Sequence, residues 1–530
     1  MGAVPEQWAD SVSDKSGAPV FGLAGSSNFR FLARYRELGG DFVPVQHEAG
    51  AVAMAAGWAE AADRVGVASV HQGPGFTNTL TALVDAHRAR IPVIVVTGHD
   101  LDSMSHQHVD TEGLCDRLGV AYLVPDLISD DVISETMDQA AVNRCPVVLL
   151  PPRQISLRSA FTLDYSEELA NEIPNNVICQ IEGARRIAIV AGRGAVRSGA
   201  LHRIASLADQ LGALLVTSAA AHGAFADNPR YAGSIGGFAT EATTEAMRTC
   251  DTVIAFGASL DRWSTAGGRI FGESAHVVRV DPWTLREDPV IFGVRMDAGK
   301  FAEELAAIVP ARARGSWALD AASAGRAPRA LGTPALGLDP RQVLRRLDQL
   351  IPSHRRIVLD SGHFIALAAM YLTTIDGPHV HFGQDFQSVG LGLAKAIGAA
   401  LTNDGRITVC VLGDGGAGMS IMELATAVEL RIPLLVVLIN DAAYGAEVHD
   451  FAPTGVDVSV AQFTLKNWAD IAKVLGAEAK TVRELSDLDA IGSWLDNPAG
   501  PFLLDCQVDP TIDATTVMTD EGVAEWSCAE

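Results

Sequence analysis

The stretch VCVLGDGGAGMSIMELATAVELRIPLLVVLINDAAYGAE, residues 409–447, decides the fold. An apolar run ends at Leu412, Gly413, Asp414, Gly415 and Gly416 form a turn, an amphipathic helix is predicted through MELATAVEL, and a second apolar run closes on Asn440-Asp441. Strand, helix and strand in this order make a βαβ unit, whose strands lie parallel with their carboxyl ends side by side. Ligands of open α/β sheets bind at that edge, and Asp414 and Asp441 converge there.

Two converging carboxylates beside a backbone carbonyl supply hard oxygen ligands suited to Mg²⁺ or Ca²⁺, and diphosphate oxygens complete such a shell. Glycines 413, 415, 416 and 418 let backbone N–H groups approach phosphate at a helix start. A tight turn with helix-capping aspartates would explain a Gly-Asp-Gly triplet alone. It does not explain the frame of strand, helix, strand and Asn-Asp, so the segment predicts a metal–diphosphate site.

Outward from this unit the same texture recurs. VGVASV, TLTALVDAHRAR and IPVIVVTG alternate in the first third; RRIAIVAGRG, ALLVTS, TVIAFGAS and HVVRVDP mark the middle, and RIVLDSG opens the last third. Short runs apolar on both faces and separated by helices indicate parallel strands covered on both sides. The fold class is therefore α/β, with three Rossmann-like, doubly wound parallel-sheet domains at about 1–160, 178–310 and 337–530. The stretch after LPPRQISL, through DYSEELANEIPNN, reads as one connector, and ARARGSWALDAASAGRAPRALGTPALG, without hydrophobic period, as another.

Composition narrows the function classes. With 48% apolar and 20% charged residues the chain can bury sizeable cores. A formal charge of −24 argues against nucleic acid or an anionic membrane as partner, and requires any anionic ligand to be held by local dipoles or a metal. Seven cysteines without a CxxC pair argue against a disulfide framework or zinc knuckle; together with a start lacking signal-peptide character they point to the reducing cytoplasm. No apolar run approaches the ~20 residues of a membrane span.

Two upstream segments carry further chemistry. In VQHEAGAVAMAAGWAEA, Glu48 heads an Ala/Gly-rich helix bare of other charge until Glu60; its bland reading is a surface glutamate opening a helix. HQGPGFTNTLTALVDAHRARIPVIVVTG follows, with a glycine-rich loop from Gly73 to Asn78.

Together these motifs resemble the thiamine-diphosphate decarboxylase and acetolactate-synthase superfamily, whose signature is GDG, some two dozen residues, then an asparagine pair, here Asn440-Asp441. The resemblance covers essentially the whole chain and implies pyrimidine-binding, middle and diphosphate-binding domains. It implies a metal held by Asp414, Asp441 and the Ala443 carbonyl, and cofactor contacts at Gly73, Asn78, Gly413, Gly415, Gly416 and Asn440. Val389, in QDFQSVGLGLAKAIGAAL, falls where the family props the cofactor in its bent conformation, with core packing as the plain alternative. Glu48 falls where the family bonds the aminopyrimidine, so that its 4′ nitrogen removes the thiazolium C2 proton; burial would help Glu48 share the proton. The family pairs the pyrimidine domain of one subunit with the diphosphate domain of another, which implies an inactive monomer, a homodimer as minimal active unit and a homotetramer as the assembly.

The implied substrate is a small 2-oxo acid or related acyl donor, whose loss of CO2 leaves an enamine that is either protonated to an aldehyde or ligated to a second carbonyl. His71 and Ser26 stand where benzoylformate decarboxylase has its active-site histidine and carboxylate-binding serine, and Glu447 matches the glutamate of pyruvate decarboxylase. Each also has a plain reading: a structural histidine ending a strand, a loop serine, a helix-face carboxylate. His106 and His108 alternate where pyruvate decarboxylase has an adjacent pair. Val109-Asp110-Thr111-Glu112 departs from the Phe-Gln-Glu of acetolactate synthase. The expected function is thus a carbon–carbon lyase or carboligase, with acetolactate-synthase-like acyl transfer as the alternative. Asp360, Ser361, Gly362 and His363 are expected at the mouth of the site.

Two other classes compete. A non-catalytic paralogue is opposed by intact Glu48 and Asp414. A dinucleotide oxidoreductase is opposed by GRGAVRSG, starting at Gly192, where Arg197 takes the place of the third glycine. Family members bind FAD, ADP or nothing in the middle domain, and nothing is the expectation adopted for this chain.

Overall fold

The computed structural model describes residues 3–100, 102, 104–125, 131–152, 169–261, 264–283, 291–312, 315–326, 337–374, 379–383 and 385–512. Their strands form three six-stranded sheets in which every neighbouring pair is parallel. The first holds β1 (Val20–Gly22), β2 (Phe42–Pro44), β3 (Gly66–Val70), β4 (Val93–Thr97), β5 (Ala121–Leu123) and β6 (Val147–Leu149), in the order β2-β1-β3-β4-β6-β5. The second holds β7 (Ile187–Ala191), β8 (Leu214–Thr217), β9 (Tyr231–Ser234), β10 (Thr252–Phe256), β11 (His276–Val280) and β12 (Ile291–Val294), in the order β12-β11-β10-β7-β8-β9. The third holds β13 (Arg355–Leu359), β14 (Val380–Phe382), β15 (Ile407–Gly413), β16 (Leu434–Asn440), β17 (Glu478–Val482) and β18 (Pro501–Gln507), in the order β14-β13-β15-β16-β18-β17. The first and third sheets therefore share one topology, and the middle sheet has the dinucleotide-fold order.

Burial explains the apolar runs. All seven residues of β16 are buried, as are all five of β3, β4, β7 and β10, because helices cover both faces of a parallel sheet. The central motif departs from expectation in one respect. Gly413 is extended and the chain enters a helix, Asp414–Ser420, at once, so the expected glycine turn is a helix N-terminus. The single predicted helix is also broken: a 3₁₀ turn, Ile421–Glu423, separates Asp414–Ser420 from the helix Leu424–Glu429. The Ser420 hydroxyl donates to the Gly416 carbonyl at 2.9 Å, a side-chain bond that competes with the helical ladder and bends it.

The helix Glu48–Ala62, capped by His47 and ended by Asp63 at φ 49°, is buried along most of its length against the helix Gly392–Ala400. Here the backbones touch: a Cβ on Gly57 would meet the Lys395 carbonyl, and one on Gly398 the Met54 carbonyl. The small residues of both helices thus join the first and third sheets.

The second expected connector contains a helix, Trp317–Arg326, whose Ala318 and Ala322 are buried against the middle sheet. Alanines four apart form one smooth helical stripe, too weakly hydrophobic for its period to stand out in the sequence. Of the first connector, residues 153–168 lie outside the described residues.

Candidate active site

At the carboxyl edge of the third sheet a cavity of about 320 Å³ is lined by Ser361, Gly362, His363 and Phe364 after β13, by Gln387 and Val389, by Gly413–Gly416, and by Asp441, Ala443, Tyr444 and Glu447 after β16. The register Gly413↔Ile439 sets the ends of β15 and β16 side by side, which brings Asp414 and Asp441 together. Ala442 adopts φ 58°, turning the chain so that the Ala443 N–H donates to Asp441 Oδ1 at 3.3 Å. Asp441 Oδ2 lies 3.5 Å from His363 Nε2. Asp414 Oδ1 and Asp441 Oδ2 are buried and accept no hydrogen bond among the described residues. Burial, reinforced by the neighbouring Asp441 charge, pushes the Asp414 carboxyl up to about 8. A buried acid pair with unused oxygens is complementary to a hard cation. Among the described residues no three His, Cys, Asp or Glu side chains surround a common point, so a cation held here would take its other ligands from carbonyl and ligand oxygens.

Beside the acid pair the helix Asp414–Ser420 begins with glycines that leave its N-terminus open. A Cβ on Gly416 would collide with Asp360 Oδ2 and approach Val389 to 3.5 Å. Val389 itself is partly exposed in the cavity rather than packed in a core. Asp360, expected at the mouth, is instead wholly buried beneath it: its Oδ1 accepts the N–H groups of Gly390 and Gly392 at 3.0 Å, and burial raises its carboxyl to about 6. It anchors the loop that carries Val389. Asn440 also turns away from the cavity, its amide donating to Asp505 Oδ1 at 2.8 Å and to the Lys466 carbonyl at 3.1 Å.

A second cluster forms at the carboxyl edge of the first sheet. Glu48 is buried at the start of its helix, and Asn78 donates to its Oε2 at 2.9 Å. Gly73, at φ 60°, packs its Cα against the Gln107 carbonyl. His71 Nδ1 accepts the Ser27 backbone N–H at 3.3 Å and lies 2.8 Å from the Ser27 hydroxyl, which leaves Nε2 to carry the proton toward Gln107 Oε1 at 3.3 Å. Ser27 is thus the serine engaged with His71, while its neighbour Ser26 is exposed. His108 is engaged through Nδ1, 2.7 Å from the Asp100 carbonyl. None of Ser26, Glu48, His71, Gly73 and Asn78 lines the cavity of Asp414 and Asp441. The two clusters are separate in one chain.

Family models of the thiamine pyrophosphate enzymes match the chain three times: the N-terminal TPP binding domain over residues 6–119, the central domain over 175–305 and the C-terminal TPP binding domain over 360–506. The chain belongs to the thiamine pyrophosphate enzyme family. This thiamine pyrophosphate enzyme is 27% identical to the sulfoacetaldehyde acetyltransferase of Alcaligenes xylosoxydans xylosoxydans, over 88% of the chain and 86% of that protein. It is 26% identical to the acetolactate synthase isozyme 2 large subunit of Escherichia coli K12, over 92% of both. The thiamine diphosphate-dependent 4-hydroxybenzoylformate decarboxylase of Rhodococcus jostii RHA1 superposes with a TM-score of 0.77 at 19% identity, covering 96% of this chain and 99% of that one, a likeness of fold.

Several residues of the two clusters escaped sequence reasoning. Phe238 and Arg269 reach the cavity from the middle domain, whose sequence carries no mark of that approach. Tyr444 and Gln387 line it as well, and Gln107, in the segment after β4, meets His71 at the end of β3. The dinucleotide-like loop at Gly192 is committed to protein: the N–H groups of Gly192 and Gly194 donate to the Phe256 and Gly257 carbonyls at 2.8 and 2.9 Å. Among the described residues no helix is long and apolar enough to cross a membrane.

Proposed function

We propose that this thiamine pyrophosphate enzyme uses thiamine diphosphate with Mg²⁺ or Ca²⁺ to cleave, and in part re-form, the carbon–carbon bond beside the carbonyl of a small 2-oxo acid. The observation that carries the reading is the buried pair Asp414 and Asp441, with its unused oxygens, in one cavity with Val389 and the carboxylate of Glu447. Asp414, Asp441 and the Ala443 carbonyl would hold the metal, and Gly415 and Gly416 would receive the diphosphate. The cofactor, when bound, supplies the electron sink that lets a bond next to a carbonyl break.

The chain's own groups handle the protons. Asn78 occupies Glu48 Oε2, leaving Oε1 for the proton exchanged with the aminopyrimidine. His71 is oriented by Ser27 and Gln107 so that its Nε2 is the atom that would exchange a proton with substrate, and Glu447 would exchange one from the cavity of Asp414 and Asp441. The exposed Ser26 would contact the substrate carboxylate. Because Glu48 and Asp414 lie in separate clusters of one chain, we infer a homodimer as minimal active unit; a homotetramer follows from the family resemblance alone, and the cytoplasm from the cysteine pattern. The exposed Met419, Met422, Val460 and Leu465 offer the apolar surface such pairing would cover.

A second reading, acyl transfer to an acceptor, draws support from the near full-length similarity to an acetolactate synthase and an acetyltransferase. One experiment addresses both. The purified protein is incubated with thiamine diphosphate, Mg²⁺ and a panel of aliphatic and aryl 2-oxo acids plus sulfoacetaldehyde, with and without acceptor aldehydes, 2-oxo acids and phosphate. Release of CO2 with an aldehyde or hydroxy ketone supports the first reading. An acyl-acceptor product without free aldehyde favours the second, and no cofactor-dependent product with any substrate refutes both.

A further inference from the structure

The loop 385–390 brings Gln387 and Val389 into the cavity, and all three domains hold it. At its far end Asp360 accepts the Gly390 and Gly392 N–H groups. At its near end Phe386 is fixed from the first domain, its N–H donating to Asp85 Oδ1 at 3.2 Å and its ring lying 4.7 Å beneath the Arg88 guanidinium. Asp385 is fixed from the middle domain, where Arg193 Nη1 and Nη2 donate to its two carboxylate oxygens at 3.0 and 2.9 Å. Arg193 is itself seated by the Ala89 carbonyl at 3.2 Å and by Glu60, 3.7 Å from Nε. Glu60 also receives Lys395 at 3.1 Å and Arg197 at 3.8 Å. Between its two anchored ends Gln387 adopts φ 54°, a conformation that costs a non-glycine residue and persists only where surroundings impose it.

We propose that Arg193 is a positioning residue for the cofactor site: its two-pronged ion pair with Asp385 sets the loop 385–390, and through it the placement of Val389 and Gln387 over the helix Asp414–Ser420. This rests on the proposed thiamine diphosphate site. It also gives a use to the glycine-arginine loop at 192–197, whose arginines contact the Ala89 carbonyl and Glu60. Arg193 serves the fork geometry that a lysine cannot reproduce.

Arg197 supplies an internal control. It sits on the same short helix and shares Glu60 and the Ala89 carbonyl, at 3.1 Å, but does not touch Asp385. The test compares wild type, Arg193→Lys, Arg193→Gln, Asp385→Asn, the Arg193→Gln/Asp385→Asn double variant and Arg197→Gln. For each, the dissociation constant of thiamine diphosphate is measured by fluorescence titration at saturating Mg²⁺, beside thermal unfolding without cofactor. The apparent KM for cofactor and for substrate is then measured on the folded protein. Both Arg193 substitutions and Asp385→Asn should weaken cofactor binding by about tenfold, as for loss of one charge-assisted contact. The double variant should be no worse than the poorer single one. Substrate KM should stay within about twofold at saturating cofactor, and Arg197→Gln should lower stability without changing cofactor affinity. Equal cofactor affinity in wild type and folded Arg193 variants, or an equal loss in Arg197→Gln, overturns the proposal. Failure of the wild type to bind thiamine diphosphate overturns instead the reading of the site on which it rests.

Discussion

Replacing Asp360 by asparagine tests how the loop carrying Val389 is held. The Asp360 carboxyl is wholly buried, and burial raises it from 3.8 to about 6 even though backbone N–H groups of Gly390 and Gly392 bond to it. At about 1.4 kcal/mol for each tenfold, that displacement costs the ionised native state about 3 kcal/mol. The sign follows from proton binding. Between pH 3.8 and 6 the folded protein holds a proton that the unfolded chain has lost, so stability falls as pH rises through this window and levels off above it. About half of the effect, ~1.4 kcal/mol, develops between pH 5 and pH 8. In Asp360→Asn the amide oxygen still accepts from Gly390 and Gly392, but no charge is buried. Urea unfolding of both proteins at pH 5 and pH 8, without cofactor, should show the wild type losing ~1.4 kcal/mol more than the variant across that interval. Parallel pH dependences would refute the reasoning, because they would mean that Asp360 is ionised in the folded protein at no cost.

Other outcomes are open to direct measurement. Glu48→Gln should keep the Asn78 contact and bind thiamine diphosphate within about threefold of wild type, while kcat falls by about 10²–10⁴, the usual span for a lost general acid–base group; calorimetric titration and steady-state kinetics check the two halves, and unchanged turnover would sink the Glu48 assignment. Asp441→Ala should abolish Mg²⁺-dependent retention of cofactor on gel filtration; cofactor still retained by the variant, or by wild type after chelation, would count against the metal role. Gly398→Ala should lower the thermal unfolding midpoint, at a cost of about 1–3 kcal/mol, because the added methyl meets the Met54 carbonyl and a backbone in a packed helix cannot give way; an unchanged midpoint would show that the contact between the two helices is looser than described.

Particular residues mark what was legible in the sequence. Asp414 and Asp441 were, because strand direction and the βαβ crossover leave two successive parallel strands no choice but to end side by side. The parallel sheets were legible too, in runs such as LLVVLIN that only a strand buried on both faces can use. Glu48 stood out because its helix offers no other charge before Glu60. Short-range geometry was the harder part. That Ser27 meets His71 depends on how the Gly-Ser-Ser turn is set against the end of β3, and whether Asn440 faces the ligand or Asp505 depends on the neighbouring strand β18.

The sequence by itself determined the fold class and the acid pair, since each follows from periodicity and chain direction within a single local unit, whereas Glu48 was singled out by the resemblance of its segment to the family. Only the tertiary structure decided what contacts across units decide: that Asp360 lies under the Val389 loop, that Gln107 reaches His71, that Phe238 and Arg269 enter the cavity, and that Arg193 is spent on Asp385. Such contacts join residues far apart in the chain through the packing of separate sheets, and local pattern carries no record of which distant side chain will arrive.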